Sequence, residues 1–301
     1  MSDSIQTILV RTAPGYTVSI GPGLLTSCGQ RLREVLGPCR AAVIADSTVA
    51  PLYAPAVTAS LSAAGFSVCS YRFPAGEAHK NLSTLSEILE FLAREHLTRS
   101  DCVVALGGGV AGDMAGFAAA VYLRGIRCVQ LPTTLLAAVD SSVGGKTAID
   151  LAAGKNLAGA FLQPAAVLCD TDCLKSLPPD VFADGAAEAI KTGVLCDESL
   201  FALFEDGTLT ADPAEVIARA AEALGWTKQP IAARIAACLA KNGLPTGTDY
   251  TAEALAQAAL ADKKRAGDSI TLVIPQRIGE CELRKLPVSD LLPVIRAGLE
   301  A

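Results

Sequence analysis

Histidine is almost absent from this sequence. Among 301 residues only His79 and His96 occur. A catalytic zinc centre takes three protein ligands and keeps one position open, so imidazole is in short supply here. Cysteine is present but never clustered. None of the ten stands in a Cys-x-x-Cys pair, and the closest two, Cys169 and Cys173, lack the second pair of a structural zinc site. Scattered thiols of this kind read as small buried side chains in a reducing compartment. Charge is thin, at 19%, against 51% hydrophobic residues. That balance excludes a disordered chain and supports a real core. A formal net charge of -6 argues against general nucleic-acid binding, although local lysines and arginines still suit an anionic small molecule. No apolar run reaches the ~18 residues of a membrane span. Met1-Ser2-Asp3-Ser4 shows no basic region followed by an apolar stretch, so no signal peptide is expected. The expected location is the cytoplasm.

What is there reads as alternating strands and helices. Ile5 to Val10 and Tyr16 to Ile20 flank Ala13-Pro14-Gly15 as a hairpin. Ala41 to Ala45, Val68 to Phe73, Asp101 to Leu106 and Ile126 to Leu131 are short apolar strands. Leu82 to Leu97 has helical spacing, with apolar residues at 82, 85, 88, 89 and 92. Such alternation implies a parallel sheet covered by helices. From about Pro178 the segments become rich in Ala, Leu and Glu with helical periodicity, and a late strand covers Ser269 to Ile274. The expected fold is α/β, with a Rossmann-like domain over 1–177 and a mainly α-helical domain over 178–301.

Five stretches carry candidate chemistry. Gly107-Gly108-Gly109-Val110-Ala111-Gly112-Asp113 follows a predicted strand and opens a predicted helix, with Gly107, Gly109 and Gly112 at G-x-G-x-x-G spacing. Glycines admit a pyrophosphate close to the backbone, and the helix start supplies free N–H groups. No acidic residue follows about twenty positions on, where a ribose would be held, so Asp46 at the end of an earlier strand is the candidate. A tight turn without ligand is the plainer alternative. Glu77 and Lys80 precede a helix, where an ordinary helix start would also place them. Leu131 to Thr147, followed by Gly154-Lys155-Asn156, sets Lys146 and Lys155 beside glycines, hydroxyls and Asp140 as an anion cradle. Gly144-Gly145-Lys146-Thr147 fails the P-loop spacing because position 140 is Asp, which excludes an NTPase. Asp184, Glu188 and Lys191 share one helix face. Asp262-Lys263-Lys264 is a charge run that would ordinarily be solvated.

Taken together, Pro74-Ala75-Gly76-Glu77 with Lys80, the glycine stretch to Asp113, Pro132 to Lys146, Gly154-Lys155-Asn156 and Ala187-Glu188-Ala189-Ile190-Lys191 resemble 3-dehydroquinate synthase, over about 40–205 and 215–285. The resemblance implies an NAD-binding domain, a helical domain and an active site between them, usually in a homodimer. It implies NAD contacts from Glu77, Lys80, Gly108, Gly109, Val110, Gly112, Asp113, Thr133, Thr134, Leu174 and Ser176, with Asp46 added from the residues. Lys146 and Lys155 would meet NAD or substrate. Arg124, Asp140, Asn156, Lys191 and Lys263 would meet the sugar phosphate, 3-deoxy-D-arabino-heptulosonate 7-phosphate. Glu188 would be the carboxylate ligand of Zn2+ or Co2+. In the implied reaction NAD oxidises a ring hydroxyl, phosphate is eliminated, the hydride returns, and the ring opens and closes as a carbocycle.

The two metal-binding histidine motifs of that family are missing. The flanking sequence places an internal gap of several dozen residues near 213–220. With Glu188 as the one remaining ligand, the expectation is that NAD binding survives and turnover is severely weakened. The rival readings are another sugar-phosphate cyclase, an iron-type polyol dehydrogenase, and a non-catalytic NAD-binding remnant.

Overall fold

The computed structural model describes residues 5–205, 231–242, 244–260 and 267–300. The chain divides into two compact units, Met1–Phe182 and Ala183–Ala301. The first is built on a seven-stranded sheet. Its strands are β1 (Gln6–Val10), β2 (Tyr16–Gly21), β3 (Arg40–Asp46), β4 (Ser67–Phe73), β5 (Cys102–Gly107), β6 (Arg127–Pro132) and β9 (Ala166–Asp170). They lie in the order β1-β2-β9-β6-β5-β3-β4. Only β1 and β2 pair antiparallel; every other neighbour is parallel.

The inner strands are apolar on both faces because helices cover both. One face of the sheet, with Val43, Val104, Leu106, Val129 and Leu131, packs under α1 (Cys28–Leu36) and α2 (Val49–Ala63) through Leu32, Val57 and Leu61. The other, with Ala42, Ile44, Val103 and Ala105, packs under α3 (Leu82–Arg94) and α4 (Gly109–Val121) through Ile88, Leu92, Met114, Ala115 and Ala118. Strands buried on both sides read as continuous apolar runs, and β3, β5 and β9 show it.

Strand order reverses between β3 and β5. From β3 the chain goes outward to β4; from β5 it goes the other way, to β6 and β9. A crevice at the carboxyl ends of strands opens at such a point. Asp46 ends β3 and the glycine stretch ends β5, so both border it.

A separate antiparallel hairpin, β7 (Lys146–Leu151) and β8 (Gly154–Phe161), pairs Lys146 with Phe161 and Ile149 with Ala158. This segment was legible only as an anion cradle. Lys146 opening a strand, not a helix, agrees with the exclusion of a P-loop.

Among its described residues the second unit holds most of α5 (Pro179–Cys196), then α6 (Glu198–Glu205), α7 (Ala232–Lys241), α8 (Ala252–Leu260) and α9 (Leu291–Glu300). It also holds more strand than the single one expected. Ser269–Arg277 (β10) pairs along its length with Glu280–Pro287 (β11). Glu280-Cys-Glu-Leu-Arg-Lys-Leu-Pro287 has no buried residue on either face, so no apolar alternation marked it as a strand. Ala252, Ala256, Leu291 and Ile295 join α8 and α9, with Ile270 and Leu272 of β10 against them.

Candidate functional site

The glycine stretch forms the strand–turn–helix that its spacing predicted. Gly107 ends β5 at φ +153°, and a Cβ there would stand 2.6 Å from the Ala111 Cβ. Only glycine suits that backbone at that distance. At Gly112 a Cβ would lie 2.9 Å from Gln130 Oε1, while Gln130 Nε2 donates to the Gly112 carbonyl at 3.2 Å. Helix α4 is thereby held tight on β6, with the free N–H groups of its first turn at the crevice. Thr133 N–H donates to the Gly107 carbonyl at 2.9 Å. Thr134 lies against Gly108, 3.1 Å from where a Cβ would be. Val110 turns its side chain to the core.

Asp46 does two things at once. Its Oδ1 accepts from the Thr48 and Val49 N–H groups at 2.8 and 2.9 Å, closing the start of α2. Its Oδ2 lies 3.5 Å from where a Cβ on Gly107 would be, so the second oxygen faces the glycine turn.

Lys80 is the centre of the site. Its side chain is 6% exposed, and its Nζ donates to Asp113 Oδ2 at 2.6 Å and to Asn156 Oδ1 at 2.5 Å. Burial raises the Asp113 pKa above the ordinary carboxylate value, and the Lys80 and Lys146 charges oppose that rise. Asn156 has φ +55°. Its N–H donates to Asp150 Oδ1 at 2.8 Å, and Asp150 N–H donates to the Lys80 carbonyl at 2.8 Å. Asp150 therefore ties the β7–β8 hairpin to the Lys80 segment. Sequence reasoning missed Asp150; the polar residues at 146, 150 and 156 bracketing an apolar Ile149 were the available signal. The same hairpin carries Lys155, 3.1 Å from Glu77 Oε1, and Lys146, 3.1 Å from Asp140 Oδ1. Both of these pairs are solvent-facing.

Four elements thus bring Glu77, Lys80, Gly108, Gly109, Gly112, Asp113, Asp140, Lys146, Lys155 and Asn156 to one region of the first unit. Leu174 and Ser176 lie on the short helical turn Thr171–Ser176 after β9, where the Ser176 and Tyr53 hydroxyls are hydrogen-bonded. Arg124 is not in this group. It is exposed, at φ +68°, just beyond the C-terminal end of α4, which lies about 18 Å of helix from Gly109. In the second unit Glu188 and Lys191 form an ion pair within α5. Lys263 lies outside the described residues, as do 213–220.

The metal fares differently. Among the described residues no three His, Cys, Asp or Glu side chains converge in a way that could hold an ion. The Glu188 carboxylate is paired with Lys191. Cys169 and Cys173 are buried free thiols. Among the described residues, therefore, those present do not form a site for a catalytic zinc or cobalt.

A family model described as the N-terminal part of 3-dehydroquinate synthase matches residues 70–184. The 3-dehydroquinate synthase of Paracoccus denitrificans is 49% identical over 214 residues, 70% of this chain and 58% of that protein. That of Streptococcus suis is 33% identical over 343 residues, 93% of this chain and 97% of that protein. In the first of these matches the chain spans less than three fifths of its relative's length. Among solved structures, 2-deoxy-scyllo-inosose synthase complexed with carbaglucose-6-phosphate, NAD+ and Co2+ aligns with a TM-score of 0.80 at 21% identity, over 98% of this chain and all of that one. The 2-epi-5-epi-valiolone synthase of Streptomyces hygroscopicus, with NAD+ and Zn2+ bound, also gives 0.80, at 22% identity and 95% and 97% coverage. Those likenesses establish the fold, and the Streptococcus match over nearly both full lengths establishes that the chain belongs to the 3-dehydroquinate synthase family.

Proposed function

We propose that this chain keeps the NAD site of a 3-dehydroquinate synthase and has lost its metal centre. It would bind NAD at the β3–β5 crevice. It would convert 3-deoxy-D-arabino-heptulosonate 7-phosphate to 3-dehydroquinate and phosphate far more slowly than a relative with the full metal set. The observation that carries the reading is the partly buried cluster of Asp113 and Asn156 around the buried Lys80, beside the glycine turn. Such a network supports a built dinucleotide site, since a solvated turn has no need of one.

NAD would supply the hydride chemistry that side chains cannot. Glu77, Lys80, the first turn of α4, Asp113, Thr133, Thr134, Leu174 and Ser176 would hold it, with Asp46 Oδ2 free for a ribose hydroxyl. Lys146, Lys155, Asn156, Lys191 and Lys263 would meet the phosphate and carboxylate of the substrate, whose anions suit fixed cations. We assign Arg124 to the substrate on the family resemblance alone. No step runs through a metal, because the described residues do not form a site. The Streptococcus alignment supports an internal gap. Ninety-three per cent of a 301-residue chain spread over 343 aligned positions leaves on the order of sixty to which it contributes nothing. We further place the protein in the cytoplasm as a homodimer. Among the described residues no helix is long and apolar enough to cross a membrane, and all ten thiols are free.

Calorimetric titration with NAD, alongside phosphate-release assays in Zn2+ or Co2+, tests this. Saturable NAD binding is expected. A Lewis acid contributes several kcal/mol to such a step, so phosphate release should fall about 10³-fold or more below a complete family member. Release at the family's ordinary rate would sink the loss of the metal centre. A folded protein that ignores NAD would sink the cofactor site.

A further inference from the structure

Cys39 and Cys102 meet at the opposite, N-terminal edge of the sheet, away from the glycine turn. Cys39 immediately precedes β3 and is half-buried; Cys102 opens β5 and is fully buried. Strands β3 and β5 are parallel neighbours, with Ala41 beside Cys102. Their sulfurs stand 3.8 Å apart, in hydrogen-bond contact. Cys39 lines a surface cleft with Leu36, Pro38, Arg99, Asp101 and Arg127. One half-buried sulfur open to a cleft, with a second directly behind it, is the arrangement of an attacking and a resolving thiol.

The charges around the pair are settled by the fold. Arg127 spans the cleft, its guanidinium donating to the Leu36 carbonyl at 2.9 Å and also to the Ser100 carbonyl. Asp101 faces inward and accepts from Arg40 N–H at 2.8 Å and Thr98 N–H at 2.6 Å. The hydrogen bond with Cys102 does most to bring the Cys39 pKa down, burial works against it, Arg127 adds to the lowering, and the outcome is about 7. Asp101 acts weakly in the other direction. The Cys102 thiol is pushed up, first by that same hydrogen bond and then by burial. The thiolate is the reactive form of cysteine, and a cation beside it favours that form.

We propose that Cys39 is a peroxide-reactive thiol and that Cys102 resolves it into an intramolecular disulfide. The Cys39 thiolate attacks one oxygen of hydrogen peroxide; the O–O bond breaks, and the leaving hydroxide takes a proton as water. The Cys39 sulfenic acid is then attacked by the Cys102 sulfur. The S–O bond breaks, and the departing hydroxyl leaves as water with the Cys102 proton. Two thiols and one peroxide give one disulfide and two waters.

The test uses the whole chain, reduced, freed of reductant and treated with hydrogen peroxide near neutral pH. Cys196 and Cys281, both exposed, serve as internal references. Peptide mapping is expected to find a Cys39–Cys102 link, with two hydrogens lost, before either exposed thiol reacts. In Cys102→Ser, dimedone should label Cys39 as a trapped sulfenic acid; in Cys39→Ser, Cys102 should stay reduced. Should a variant fail to fold, the mapping of the unmodified chain decides alone. Oxidation of Cys196 or Cys281 ahead of Cys39, or Cys39 passing to the sulfinic acid without joining Cys102, overturns the proposal.

Discussion

At Lys80, burial and charge pull in opposite directions. A cation with 6% of its side chain exposed persists because Asp113 and Asn156 accept its hydrogen bonds. Replacing one partner of a buried pair leaves the other uncompensated, which costs about 3–5 kcal/mol. Lys80→Met should therefore destabilise the first unit by an amount of that order and abolish NAD binding. The pH dependence has a definite sign. Asp113 has a raised folded pKa, from burial first, so its ionisation weakens the fold as pH rises through that value. Without Lys80 the rise is larger. The deficit of Lys80→Met against the parent should be greatest at neutral pH and shrink as pH falls into the acid range, where Asp113 protonates. Urea melts at neutral and acid pH measure this, and equal deficits at both would count against the account. Conversion of Asp150 to Ala removes the acceptor of the Asn156 N–H while keeping the backbone bond to the Lys80 carbonyl. It should weaken NAD affinity while leaving the bulk fold in place, as titration calorimetry with circular dichroism would report.

At the scale of elements, the contact between α4 and β7 sets the hairpin in position. A Cβ on Gly116 would stand 2.5 Å from Thr147 Cγ2. Gly116→Ala should cost about 1–3 kcal/mol through overpacking. Thr147→Ser removes that methyl and keeps the hydroxyl that donates to the Ala160 carbonyl at 2.8 Å. The double variant should recover most of the loss, a coupling that a double-mutant cycle reads directly. Full additivity of the two changes would refute the contact. Elements also show what was legible in the chain. Strands β3, β5 and β6 could be read because burial on both faces makes them mostly apolar runs bounded by Gly, Pro and Asp, whereas the equally buried β9 was not among the strands read. The β7–β8 hairpin could not: β8 alternates half-buried and exposed residues, Lys155, Leu157 and Phe161 among the latter, and glycines dilute the pattern. The glycine turn and Lys80 were readable as motifs, whereas the meeting of Lys80 with Asn156 spans 76 positions and arises only from the fold. Arg124 was assigned to the substrate by resemblance, and it lies just beyond the C-terminal end of α4.

At the scale of the whole molecule, what binds should stabilise, and what does not should leave no trace. Ligand at 100 times its Kd adds about 2.7 kcal/mol to the state that binds it. NAD at that excess should raise the melting temperature of the first unit, and Zn2+ or Co2+ should leave it unchanged. A metal-dependent rise, removed by a chelator, would reveal ligands outside the described residues. The placement of β2 has a consequence for synthesis. Strand β2, at residues 16–21, is hydrogen-bonded to β9, at 166–170, and Asp170 accepts the Gly23 and Leu25 N–H groups at 3.0 and 2.8 Å. The β1–β2 hairpin leaves the ribosome with no seat until some 150 further residues have followed. At about 5–20 residues per second, it waits on the order of ten seconds with one edge unpaired. An early strand is seated by a much later one, so this sheet cannot form in the order in which its strands are made.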